Sequence, residues 1–402
     1  MAVLESFLLF LTLFIPKAGT KVGSIPVYLS LLSLSYFTLH GVYRSLSKRN
    51  IPTLYLFALC MMFYVIVNFP NITRPHLDSS QLLAYSLAGT SFFAYYSAIN
   101  FKSDARQLST YILAAFYFLA AYGFSQKIFG DYTVAIPGIT ANFADASTAD
   151  FLAAKNNMIW GINYLKLTST YQNGNVFGVN FLLIAFLSLC ILRERGDKYI
   201  YQTIIMVLVV LATASVSVYI GLIAGLTHFF ILSNRGLISR KTLLSSIAAV
   251  LFLTITLSAL LLTDNLFSQI LTERVFDRNL AEGGGRTENI QDYFKEVLSH
   301  PIYLLSGTLF FNYQGPEVYE VTPLAVLQVF GFGFFVFLTY FILQITKKIH
   351  IRYQSCAIAY LIASISDGAF WLPPTALNFF LIIGIATTLG NQRKISATKP
   401  AV

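Results

Sequence analysis

The chain has 402 residues, of which 56% are hydrophobic and only 11% charged, where a soluble domain carries about 25%. That deficit excludes an ordinary soluble enzyme, and the apolar content excludes a disordered chain. The excess of 27 Lys and Arg over 18 Asp and Glu first has to be divided between the two sides of a bilayer; no nucleic-acid partner is expected from it.

Apolar runs predict twelve membrane-spanning helices, over 1–15, 26–43, 51–70, 81–101, 108–126, 175–192, 199–214, 215–232, 243–263, 323–345, 354–368 and 376–390. The first lacks the basic start of a signal peptide and carries Glu5, so it counts as a span. The run 199–232 is too long for one crossing at ~1.5 Å per residue. The small polar residues Thr213, Ser215 and Ser217 supply a turn that splits it. Cys60, Cys190 and Cys356 all lie in apolar runs and read as core residues, not a disulfide framework.

Basic residues orient the chain. With both termini cytoplasmic, the inside loops 44–50, 102–107, 193–198, 233–242, 346–353 and 391–402 hold 17 Lys and Arg in 49 residues, against 10 in the 134 residues of the outside loops. The opposite topology would invert that bias. The chain is thus expected to be a single transmembrane domain over 1–402. It carries two long outside loops, 127–174 and a main one at 264–322, between the ninth and tenth spans. Long loops in compact folds are usually functional or disordered; both keep aromatics and helical patterning, so both read as ordered. In the main loop, Phe267, Ile270, Leu271, Val275 and Phe276 recur at helical spacing, Gly283–Gly285 breaks the pattern, and a second amphipathic helix is predicted over 288–299. Two such helices would lie on the outer membrane face or pack over the bundle.

Charged and polar residues that can carry chemistry concentrate outside. Arg286 follows three glycines at a helix start, where free N–H groups and a guanidinium suit an anion; a solvated turn residue is the alternative. Arg274 and Arg278 stand four apart beside Glu273 and Asp277, which also fits a surface ladder. Glu320 lies at a membrane mouth, where burial favours a general base, or where it is simply solvated. Lys166 precedes the hydroxyl- and amide-rich stretch Thr168–Asn175, suited to sugar hydroxyls or to a helix start. Asp367 ends the eleventh span. His40 and His228 read as ordinary interface residues. No HExxH, CxxC or P-loop pattern is present, so neither a metal nor a nucleotide cofactor is expected.

Lys166-Leu-Thr-Ser-Thr-Tyr-Gln-Asn-Gly-Asn175, Thr213-Ala-Ser215, Arg286 with His300-Pro301 and Ser306-Gly307, and Glu320 through Gly331 stand in an order that resembles the O-antigen polymerase and ligase superfamily. The likeness covers most of 150–345 and the topology. The His-Asn of the ligases is absent, with Glu320 nearest that place. Val216 stands where an Arg often follows the Thr-x-Ser turn, and Gly174 replaces a Pro.

The resemblance implies an all-α, GT-C-like polytopic protein of a bacterial inner membrane with its active site facing the periplasm. It implies a metal-independent glycosyltransferase that polymerises undecaprenyl-pyrophosphate-linked oligosaccharide repeats, with membrane lipids and a polysaccharide chain-length regulator as candidate partners. Glu320 is then the expected base and Arg286 the expected pyrophosphate contact. Lys166, Arg278, Arg274, Asn175, Tyr313 and Tyr319 are the expected substrate-binding residues. Alternatives are an O-antigen ligase, argued against by the missing His-Asn, and a polysaccharide flippase or transporter, argued against by spans almost free of charge. A GT-C enzyme using a polyprenyl-phosphate sugar would carry acids in the first outer loop. Here that loop holds only Lys17 and Lys21 as charges.

Overall fold

In a lipid environment backbone groups must bond within their own segment, and the Leu-, Phe- and Val-rich runs do so as helices. The computed structural model describes residues 3–22, 25–47, 51–68, 79–101, 104–140, 156–159, 162–171, 173–231, 286–309, 311, 313, 315, 318, 321–371 and 373–398. They are mostly helical.

In chain order the elements are α1 (Val3–Leu13), β1 (Gly19–Val22), β2 (Ile25–Tyr28), α2 (Ser30–Ser47), α3 (Ile51–Asn68), α4 (Ser79–Thr90), α5 (Phe93–Ala98), α6 (Ala105–Phe129) and α7 (Asp131–Val134). Then come β3 (Asn156–Ile159), β4 (Ile162–Leu165), α8 (Gly174–Arg195), α9 (Ile200–Ala212), α10 (Val216–Phe230), α11 (Arg286–Ser299) and α12 (Ile302–Ser306). The last are α13 (Thr322–Lys348), α14 (Gln354–Ile365) and α15 (Pro373–Thr398). Among the described residues, four helices are long and apolar enough to cross a membrane: Ala105–Phe129, Gly174–Arg195, Thr322–Lys348 and Pro374–Gln392. Val3–Leu13, Thr53–Asn68, Ile200–Ala212 and Val216–Phe230 are shorter apolar helices. The expected span 243–263 and the amphipathic stretch from Phe267 lie outside the described residues.

Two features depart from the purely helical expectation. The loop after α1 is a hairpin, β1 paired antiparallel with β2 from Gly19↔Tyr28 to Val22↔Ile25. Gly19 is required there, because a Cβ would stand 2.1 Å from the Val27 carbonyl oxygen. The first long loop ends in a second hairpin, β3 with β4, where helical patterning was expected. Such hairpins satisfy their backbone groups locally, without a helix's length of chain.

The chain divides into two compact units. The first takes residues 1–111, 285–350 and 364–402. Its core is aromatic: the Phe92 ring lies 5.0 Å from Phe57, 5.2 Å from Phe337 and 5.1 Å from Phe341. Helix α15 is buried along most of its membrane-length window, and α5 packs against both it and α2. Helix α13 is broken at Gly331, whose φ of 72° and ψ of −180° are non-helical. The expected span 81–101 is likewise broken, into α4 and α5, and the Ser91 hydroxyl donates to Ala88 O at 2.6 Å where they part.

The second unit takes 112–284 and 351–363. Helix α8 is apolar on every side and almost wholly buried, as such helices must be. It packs against α9 and α10, and Phe181 on it stacks on Phe116 of α6 with centroids 5.5 Å apart. Helix α10 carries Gly221 and Gly225 one turn apart. A Cβ at Gly221 would meet Ala359 O at 2.6 Å, and one at Gly225 would meet the Phe186 ring at 2.3 Å. Small residues four apart let membrane helices approach this closely. At the far end of α8, Arg193 donates to Phe229 O at 3.0 Å and Arg352 O at 2.9 Å, and Arg352 bonds Glu194 at 3.1 Å.

Candidate functional site

The polar stretch before α8 folds back into the second unit. Asn173 is the N-cap: its side-chain oxygen accepts from Val176 N at 2.8 Å, the usual use of Asn at a helix start. Gly174 follows because a Cβ there would press within 2.6 Å of the Lys166 side chain. Lys166 Nζ donates to Asn175 Oδ1 at 2.9 Å, so the two ends of the stretch close on each other.

Between them the chain is buried and polar. Thr168, Ser169, Thr170 and Tyr171 are at most 2% exposed. Ser169 has a left-handed φ of 48°, rare outside glycine. Its conformation is held by two bonds: its hydroxyl donates to Leu119 O at 2.9 Å, and Gln126 Nε2 donates to its carbonyl at 3.0 Å. The side-chain hydroxyl oxygens of Thr168 and Thr170 and the Gln126 Oε1 are buried without a hydrogen-bond partner, which normally costs about 1–3 kcal/mol each.

The Thr213–Ser215 turn lies beside this stretch. Leu167 N donates to Ala212 O at 3.1 Å, and the Thr213 hydroxyl donates to Val210 O at 2.7 Å. Among the described residues Ala214 is the second non-glycine residue with a left-handed φ, again 48°; the Ser215 and Ser217 hydroxyls are 3.0 Å apart. The split of 199–232 is therefore a tight turn where the small polar residues placed it. Helices of 13 and 15 residues on its two sides reach about 20–22 Å, short of a ~30 Å hydrocarbon core. The arrangement places an ammonium and an amide, bonded to each other, at the start of a long helix and beside a buried hydroxyl-rich stretch; an ammonium and an amide there suit a polyhydroxyl or phosphate group.

The other expected site residues belong to the first unit. Arg286 opens α11. Tyr313 packs edge-on against Tyr303, centroids 5.7 Å apart, beside a small core of Tyr293, Val297 and Val318. Burial pushes the Tyr293 phenol up to about 12. Glu320, Tyr319, Arg274 and Arg278 lie outside the described residues. Asp367 is buried, and its carbonyl accepts from the Thr322 hydroxyl at 3.0 Å.

Sequence reasoning missed a polar knot around Gly331. Gln328 Oε1 accepts from Val318 N at 3.0 Å. The Thr308 hydroxyl donates to Gln328 O at 3.0 Å, and Asn68 Nδ2 donates to Ser306 O at 3.2 Å. Polar side chains inside apolar runs were the available signal. His40 and His228 are also more than interface residues: His40 Nδ1 bonds Ser97 at 2.7 Å while Arg44 Nε donates to its Nε2 at 3.1 Å, and His228 bonds Ser355 at 2.9 Å. Among the described residues, no group of three or more His, Cys, Asp or Glu is placed to hold a metal. No protein-family model matches the chain, and no curated protein matches it.

Proposed function

We propose that the chain is a polytopic, GT-C-like polymerase of undecaprenyl-pyrophosphate-linked oligosaccharide repeats, with both termini in the cytoplasm and its site at the periplasmic face of a bacterial inner membrane. One observation carries the reading. The Lys166–Asn175 stretch and the Thr213–Ser215 turn, about forty positions apart and both part of the family resemblance, meet through Leu167 N and Ala212 O.

In this reading the acceptor sugar hydroxyl gives its proton to Glu320. Its oxygen attacks the anomeric carbon of the donor as the bond from that carbon to the pyrophosphate oxygen breaks. The leaving pyrophosphate takes the bonding pair and is stabilised by cations, Arg286 first and Lys166 second, with Arg274 and Arg278 contributing. Asn175, Tyr313 and Tyr319 hold the glycan. Both lipid tails stay in one bilayer plane, which makes the encounter nearly intramolecular.

Gene deletion tests this. The expected result is lipid A–core bearing one repeat and no ladder. A normal ladder overturns the reading, and loss of even the single repeat assigns the chain to ligation or flipping instead.

A further inference from the structure

The helical wheel of α11 divides into three strips. Tyr293 and Val297 are buried against Val318 and its neighbours. Glu288, Asp292, Lys295 and Ser299 occupy the opposite side in water, with Lys295 and Asp292 paired at 2.8 Å. Between them runs a third strip that is uncovered and largely apolar in area: Phe294 is 43% and Leu298 80% exposed, with Thr287 and the exposed Gln291 on the same flank. An interfacial helix has this pattern, with one flank in the acyl region and the charged side wet.

The uncovered strip does not stop at α11. It continues through Ile302 and Leu305 on α12, both exposed. There the Leu305 carbonyl meets the backbone of Gly331, a Cβ on which would lie 2.1 Å away. The next residue on α13 is Phe332. Phe332, Val336 and Tyr340 are exposed and form the outward stripe of α13 beyond its break at Gly331, within an apolar stretch that as a whole is long enough to cross a membrane. The strip on α11 and α12 is thus an extension of a surface that is already suited to acyl chains.

We propose that α11 and α12 are a membrane-docked element whose Phe294–Leu298–Ile302–Leu305 flank contacts lipid acyl chains, continuous with the lipid-facing stripe of α13. The element is not a solvent-exposed lid. Docking holds the start of α11, and with it the backbone of Arg286, at the level of lipid headgroups. The proposal is independent of the polymerase reading.

Spin labels test it on the full chain in lipid nanodiscs. Leu298→Cys, Lys295→Cys and Tyr340→Cys are labelled, the unsubstituted chain giving the background from its own cysteines, and relaxation by oxygen and by a water-soluble nickel chelate is compared. The expected result at 298 is high oxygen and lost nickel accessibility, as at 340, with the reverse at 295. Nickel accessibility at 298 equal to that at 295 overturns the proposal, because the flank is then wet. Low accessibility to both agents also overturns it, because protein, either residues 232–285 or a second copy, then covers the flank. If Leu298→Cys does not fold, Phe294→Cys reports the same flank.

Discussion

Leu305 and Gly331 meet backbone to backbone: a methyl group on Gly331 would stand 2.1 Å from the Leu305 carbonyl oxygen. Gly307 makes the reciprocal approach, since a methyl group there would stand 2.3 Å from Val329 O. Both glycines have φ of 72° with ψ near 180°, a region open essentially to glycine alone. The short α12 is thereby clamped onto the break in α13.

Replacing Gly331 by Ala therefore combines backbone strain with a collision. It is expected to cost at least about 1–3 kcal/mol and to lower the unfolding temperature in detergent. Gly333→Ala is the control, as its nearest neighbour would be 3.9 Å away. Equal thermal stability of the two variants would sink the clamp.

The Lys166–Asn175 bond closes the polar stretch. Lys166→Ala and Asn175→Ala should each weaken polymer formation at unchanged protein level, and their stability effects should be non-additive by about 0.5–3 kcal/mol. A double variant whose unfolding midpoint equals the sum of the singles would show that the two residues act separately.

Gly225 of α10 faces the Phe186 ring and Ala359 Cβ, which a Cβ would approach to 2.3 and 2.8 Å. Gly225→Leu forces α10 away from its neighbours, at about 1–3 kcal/mol or more for overpacking. Thermal unfolding with expression yield measures it, and a wild-type midpoint would contradict the close approach.

Tyr293 is fully buried with an unpartnered hydroxyl. Tyr293→Phe removes that orphan and is expected to be neutral or stabilising by about 1 kcal/mol, whereas Tyr293→Ala should cost about 3–5 kcal/mol. The phenol, ordinarily near 10, is pushed up to about 12 by burial. Its neutral form is favoured by folding, so that stability is present below about pH 10 and is lost as pH rises towards 12. Tyr293→Phe should flatten this alkaline loss in a pH series of unfolding midpoints.

Some of this architecture was legible because the local chemistry is strong. The Thr168–Asn175 stretch marks the start of α8, the small polar residues mark the turn at Ala214, and the amphipathic helix predicted over 288–299 is α11. The break at Gly331 was not legible, because apolar residues continue on both sides of it and hydropathy is blind to a φ of 72°. Gly221 and Gly225 carried a packing signal that a search for chemistry passes over. The two hairpins are too short to generate an alternation pattern. At the site, residue types gave the Lys166 stretch, but its contact with the end of α9 is a tertiary fact that spacing does not contain.

The burial of α5 has a consequence for how the protein is made. All six of its residues are buried, and its partner α15 comes much later: Ala98 O accepts from the Thr388 hydroxyl across 290 positions of chain. At about 5–20 residues per second, ribosomal synthesis separates the two by roughly 15–60 s. Throughout that interval α5 is without its final neighbour. A premature stop before α15 would leave α5 without the partner that completes its burial.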